Sequence, residues 1–348
     1  MQIGITLPHY DYSFDSKGPI SFNEVLTAAK IIESSGFDSL YISDHLALDI
    51  GKYGGRRDEK SGAFPKFQSL EPLTTMAAIA ASTSTIKLGT LVLCEALRHP
   101  VVTAASAKTL NDISGGRFSL GLGAGWYEPD YEVVGQSMPQ IGDRMTRLTE
   151  SAQIIRQLFD GKSLDFEGKF YSAKDASLES TFETKNMEFV NIPFFLGGKG
   201  DRLLRIIARY CDGWNTCWAY EFDDYRDRVE SLNRACEKYD RDPKSIHRSL
   251  GLYCVVADTQ NELEEYFNKM CELSPPGVAD GKTLESWKSS RLVGTTEEVA
   301  EQISKWAGLG VNEIIVNPGF APFHVGSNEV LTHLGDCLGR ALKIAGLN

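Results

Sequence analysis

Apolar positions along this chain follow two periods, and the two alternate. Short runs rich in Ile, Val, Leu and Phe predict buried strands over residues 3–7, 39–43, 86–93, 118–123, 193–196, 213–215, 250–256 and 313–316. Between them, apolar residues recur every third or fourth position and predict helices over 21–34, 72–81, 100–113, 143–159, 201–210, 222–239, 261–271, 295–309 and 328–345. The helix ends carry their own signals. Ser21 with Glu24 reads as a capping box, Pro100 suits a first turn, and Gly36 and Gly161 act as stops. A loop spans 51–69, another leads through Gln140, and a small hairpin at 164–170 turns on Glu167-Gly168. Eight strand–helix units without a composition break predict an α/β fold of the (β/α)8 TIM-barrel kind. It would be one domain over 1–348, with insertions near 46–70, 162–192 and 274–292.

A barrel predicts where chemistry lies, because active sites of this fold sit at the C-terminal strand ends. The run Gly115-Gly116-Arg117-Phe118-Ser119-Leu120-Gly121-Leu122-Gly123-Ala124-Gly125-Trp126 joins a turn, a buried strand and a glycine-rich exit. Glycines there would let another backbone or a flat ligand come close. The spacing is not the dinucleotide fingerprint, which needs G-x-G-x-x-G opening a helix. Trp126 stands where the last glycine belongs, and Pro129 is expected to block an immediate helix.

The net charge of −11 argues against a nucleic-acid partner. No apolar stretch is long enough to span a bilayer, and the first strand begins at once, so neither a membrane anchor nor a leader is expected. The seven cysteines are scattered without a C-x-x-C pair and read as reduced cytoplasmic thiols. No His/Cys/carboxylate group has metal-ligand spacing.

The strand-end positions hold few reactive side chains. Asp44-His45 follows strand two; the imidazole could donate or accept a proton, and Asp44 could orient it. The same pair could equally be a turn cap and a packed rim residue. His9 ends strand one, and His99 precedes a helix and reads as structural. Gly197-Gly198-Lys199-Gly200 joins strand five to a helix, where amides and Lys199 with Arg202 favour a phosphate. Trp126, Tyr127, Trp214 and Trp218 could line a flat ligand or simply pack in the core. The basic loop from Lys52 to Lys60 could close over an anion, although a solvated loop is the simpler reading.

Four blocks, GFDSLYISDHL, LGTLVLCEALRHP, SGGRFSLGLGAGW…DYEVVG and PFFLGGKGDRLLRIIARYCDGWN, together with VGTTEEVAEQISKWAGLGVNEIIV, resemble the bacterial luciferase-like superfamily of flavin and deazaflavin oxidoreductases. The resemblance implies a (β/α)8 barrel binding coenzyme F420, or alternatively FMN, beside a small organic substrate, in a homodimer. It implies a non-prolyl cis peptide at Leu91–Val92 behind the ring, with Cys94 beside it. Asp44 and His45 would approach the ring, His45 acting on a proton. Ala124, Gly125 and Trp126 would touch the ring or its chain, and Gly197, Gly198, Lys199 and Gly200 the phosphate. His9, Glu95 and Trp218 are the substrate-side candidates. The chain departs from the family's sugar-phosphate dehydrogenases, which carry a glutamate proton donor where Trp126 stands; their mechanism and glucose 6-phosphate are therefore not implied. Glu95 and Glu128 are the nearby carboxyl substitutes. An FMN monooxygenase using oxygen, and a flavin-binding barrel without turnover, are the alternative readings.

Overall fold

The computed structural model describes residues 1–14, 18–178, 191–218 and 220–347. Eight parallel strands close on themselves: β1 (Gln2–Thr6), β2 (Ser39–Ile42), β3 (Lys87–Thr90), β4 (Phe118–Gly123), β5 (Phe194–Gly197), β6 (Gly213–Trp218), β7 (His247–Ala257) and β8 (Glu313–Asn317). Each pairs with the next in chain order, and β8 pairs with β1, with Gln2 opposite Glu313 and Ile5 opposite Val316. Helices cover the outer face of each strand, so most strand residues are buried on both sides. That is why the strands read as continuous apolar runs rather than alternating ones.

The lower end of the barrel is sealed by a polar cluster. Glu313 accepts from Ser39 Oγ and, at 2.9 Å, from Tyr41 Oη, and lies 3.2 Å from His247 Nε2. Above it, β3 and β4 run unusually close. Gly121 N–H donates to Thr90 Oγ1 at 2.9 Å, and that hydroxyl donates to Gly121 O at 2.8 Å. A Cβ on Gly121 would collide with Thr90 O and lie 2.5 Å from the Phe195 ring.

Several expectations are corrected. The third strand does not run through 86–93. It stops at Thr90, turns through a cis Leu91–Val92 bond and resumes as Leu93–Cys94. Pro129 does not prevent a helix: it sits in the first turn of Glu128–Val133, where a missing N–H costs nothing. The sixth strand extends past Asn215 to Trp218. Polar Asn215 and Thr216 masked its continuation, and both line a cavity. The second hairpin strand starts only at Ser172, opposite Glu167. The 274–292 insertion contains the helix Leu284–Lys288 and is followed by a strand, Leu292–Thr295, paired with the upper half of β7. The 51–69 loop ends in a short strand, Lys66–Gln68, antiparallel to Ala47–Asp49. This segment is tied to the third insertion: Arg56 N–H donates to Pro276 O at 3.0 Å and its guanidinium pairs with Asp280 at 2.6 Å. The part of the 162–192 insertion at 179–190 lies outside the described residues.

Replacing Gly121 by Ala should lower stability by about 1–3 kcal/mol through overpacking. Urea unfolding measures this, and an unchanged midpoint would mean that β3 and β4 separate freely.

Candidate active site

The C-terminal strand ends open into one cavity of about 680 Å³. Its floor is the interrupted third strand. The cis bond turns Val92 toward the next two strands, where both neighbours are glycines. A Cβ on Gly123 would lie 2.7 Å from Val92 Cγ2, and one on Gly197 would lie 3.0 Å from Val92 Cγ1. Gly125 has φ +69°, and a side chain there would meet Cys94 Sγ at 2.8 Å. These glycines thus make room for the protein's own bulge. The sequence reading had left a flat ligand as the alternative.

Asp44 anchors this floor. Its buried carboxylate accepts from Cys94 N–H at 2.8 Å and from the Arg98 guanidinium at 2.6 and 3.0 Å. Arg98 reaches on to Glu71 at 2.7 Å, at the cap of the helix Pro72–Ser82. Burial pushes the Asp44 carboxyl up, while Arg98 and the Cys94 amide pull against it. With both oxygens held, Asp44 lines the cavity as an anchor, and it does not orient His45 as the sequence had allowed. Cys94 also lines the cavity; burial pushes its thiol up to about 12, so it is not a nucleophile.

The partner of His45 is Asp130, which sequence reasoning missed. His45 Nδ1 lies 2.7 Å from Asp130 Oδ2, and Leu46 N–H donates to Oδ1 at 3.1 Å. A carboxylate only accepts, so Nδ1–H donates to Asp130, and Nε2 has no partner among the described residues. Trp126 and Tyr127 meet the imidazole edge-on, each at 5.3 Å between centroids. The Lys52 ammonium covers Trp126 from outside at 4.8 Å. Trp126 is half exposed at the rim and offers only an indole N–H. The signal that could have found Asp130 was an acid just past the glycine exit, on a turn of helix wrongly read as loop.

Two substrate-side candidates do not line the cavity. His9 is fully buried: its Nδ1 lies 2.8 Å from Leu7 O, and its Nε2 lies 3.1 Å from Ser43 Oγ. Burial pulls its pKa down to about 3. The Leu7 carbonyl can only accept, so Ser43 donates to His9 and receives from Tyr10 Oη at 2.6 Å. Tyr10 and Ser43, not His9, reach the cavity. Glu95 points away too, accepting from Tyr171 Oη and, at 3.0 Å, from Ser151 Oγ. Burial raises its pKa. Trp218 does line the cavity, after a second non-prolyl cis bond at Cys217–Trp218. His99 caps the helix Pro100–Ser114, Nδ1 accepting from Val101 N–H.

The opposite end of the cavity is basic. Leu91, Val92, Ala124 and Gly125 lead along the floor to Gly197, Gly198, Lys199 and Gly200, with the helix Asp201–Tyr210 opening behind them. Trp214 Nε1 donates to Gly198 O at 2.7 Å and holds the loop. Arg144 donates to the Gly125 and Pro139 carbonyls, and Arg202 to Gly142 O and Thr146 Oγ1. Among the described residues, Arg144, Lys199 and Arg202 make no ion pair with a carboxylate. Three cations without an ion-pair partner thus share one cavity wall with Asp201, which is paired with Arg228, in a chain of net charge −11. Among the described residues no group of three or more His, Cys, Asp or Glu could hold a metal ion, and no helix is long and apolar enough to cross a membrane.

Fold and site together define a (β/α)8 barrel with a two-ended ligand cavity at its strand ends. The chain belongs to the luciferase-like monooxygenase family, whose pattern matches residues 1–313. It is 27% identical over 332 residues to an F420-dependent glucose-6-phosphate dehydrogenase of Microbacterium testaceum, covering 89% of this chain and 91% of the relative. It is 24% identical over 336 residues to a 5,10-methylenetetrahydromethanopterin reductase of Archaeoglobus fulgidus, covering 87% and 92%. Among solved structures it superposes on an F420-dependent secondary alcohol dehydrogenase in complex with an F420-acetone adduct, with TM-score 0.71, 17% identity and 98% of each chain covered. A riboflavin lyase gives 0.72 at 16% identity, covering 100% of this chain and 92% of the other. These structural likenesses show the fold.

His9 sets a pH dependence of stability. Its pKa is depressed in the fold, so below about pH 6.5 the unfolded chain takes up a proton that the folded chain refuses. Its contribution is complete above that pH and is lost as pH falls toward about 3. His9→Gln should flatten the stability slope between pH 4 and 6 by up to about 1.4 kcal/mol per pH unit. Denaturant unfolding across that range measures it; an unchanged slope would contradict the assignment.

Proposed function

We propose that this chain is a coenzyme F420-dependent oxidoreductase acting on a small organic substrate. The observation that carries the reading is the division of one cavity into a wall holding three cations without an ion-pair partner and a His45–Asp130 dyad, joined by a single floor. The relatives named F420-dependent support it. Arg144, Lys199, Arg202 and the amides opening the helix Asp201–Tyr210 fit a phosphate-bearing chain. Val92 and Ala124 fit the face of a flat ring. When bound, the deazaflavin supplies a carbon that gives or takes a hydride. The protein supplies alignment, exclusion of water and proton handling. His45 Nε2 takes the proton of a substrate hydroxyl, or returns it in the reverse direction. Asp130 fixes the tautomer and stabilises the imidazolium. The same reading makes the protein a homodimer, as the resemblance implies. It places the protein in the cytoplasm, where its free cysteines stay reduced.

The test is a titration with F420 and with FMN, each oxidised and reduced, followed by fluorescence and absorbance. F420 should bind at least ten-fold more tightly than FMN, and oxygen uptake should be absent. Preference for FMN with oxygen consumption would move the protein to the monooxygenase reading. Binding without hydride transfer across a broad substrate panel would favour a flavin-binding barrel. With a substrate in hand, His45→Ala should lower kcat about 10²-fold or more. Activity within a few-fold of wild type would remove the proton role.

A further inference from the structure

All three cations that line the cavity follow β4 and β5: Arg144 in the helix Ile141–Phe159, Lys199 in the loop after β5, and Arg202 in the helix Asp201–Tyr210. The end formed by β1, β2, β6 and the segment after β8 has none. Its walls are Tyr10, Leu48, Tyr53, Trp218, Pro322 and Phe323. The rings form one surface: Phe323 lies 6.0 Å from Tyr10 and 5.9 Å from Trp218 between centroids. Cations near this end are turned elsewhere. Lys52 sits outside Trp126, Arg56 is paired with Asp280, and Arg291 and Lys282 stack on Trp287, behind Tyr253. None of these four lines the cavity. The charged groups that do line this end are the carboxylates of Asp44 and Asp130, both already satisfied.

We infer that the substrate is an uncharged molecule with a flat apolar body and one hydroxyl or carbonyl group, and that sugar phosphates and carboxylates are rejected. A phosphate or carboxylate at this end would lose its hydration among aromatic rings, with no cation to replace it and two carboxylates nearby. A neutral ring gains from the same walls through apolar burial and edge contacts. Its hydroxyl donates to the Nε2 lone pair of neutral His45, or its carbonyl accepts from Nε2–H of the imidazolium; Nε2 has no hydrogen-bond partner among the described residues. This inference rests on the basic end being the cofactor end.

The test compares acetophenone with 4-acetylbenzoate, which differ only by a carboxylate, and with glucose 6-phosphate. Binding is measured by calorimetry and saturation-transfer NMR. F420 loading is verified first by its fluorescence, and failure to load contradicts the cofactor assignment alone. The comparison is repeated on unloaded Lys199→Ala/Arg202→Ala protein, whose basic end keeps only Arg144 and competes less for anions. Acetophenone should bind at least ten-fold more tightly than either anion in both preparations. Tyr53→Arg should raise affinity for 4-acetylbenzoate at least ten-fold, with circular dichroism confirming the fold. Equal or tighter binding of an anion to wild type, or no binding of acetophenone, would overturn the inference.

Discussion

The site depends on the carboxylate of Asp44. A buried charge is tolerated only when its oxygens are satisfied, and here Arg98 and the Cys94 amide satisfy them. That demand fixes where the third strand resumes after its interruption. The resumed segment, Leu93–Cys94, pairs with β4, which leaves Val92 projecting between Gly123 and Gly197. Arg98 carries the constraint outward to Glu71, so a helix on the barrel's outer layer is tied to the cavity floor. Breaking such a pair by removing one partner is far more damaging than its net contribution suggests, because the other charge stays buried and unpaired.

On that floor the protein separates two chemistries. The segments that follow β4 and β5, a loop and the starts of two helices, gather positive charge in an acidic chain. The loops after β1, β2, β6 and β8 present aromatic surface and one oriented imidazole. The relatives' names cover sugar-phosphate and pterin chemistry, so the shared barrel does not by itself select a substrate.

Much of this was legible beforehand. The eight apolar runs gave the barrel, because strands buried on both faces need uninterrupted apolar sequence. The glycine–lysine loop was visible because strand, glycines and helix follow one another in chain order. His45 was visible from its place at a strand end. Its partner was not, because Asp130 lies 85 positions away and meets it only through the fold. Nor was the fate of Asp44 legible, since Arg98 sits 54 positions on. His9 and Glu95 looked available because sequence shows strand-end position but not which way a side chain turns. Gly121 and Gly123 were tied to the close approach of a backbone or a flat ligand, and the protein's own Thr90 and Val92 come close there, while Gly197, read as part of a phosphate loop, also faces Val92.

Asp44 anchors the cavity floor, whereas Asp130 holds the His45 imidazole and the Leu46 amide. The most direct measurement is the F420 affinity of Asp44→Asn beside that of Asp130→Asn, by fluorescence titration of folded protein. Asp44→Asn should weaken F420 binding at least ten-fold, and Asp130→Asn should leave it within two-fold of wild type. Wild-type affinity in Asp44→Asn would contradict the account.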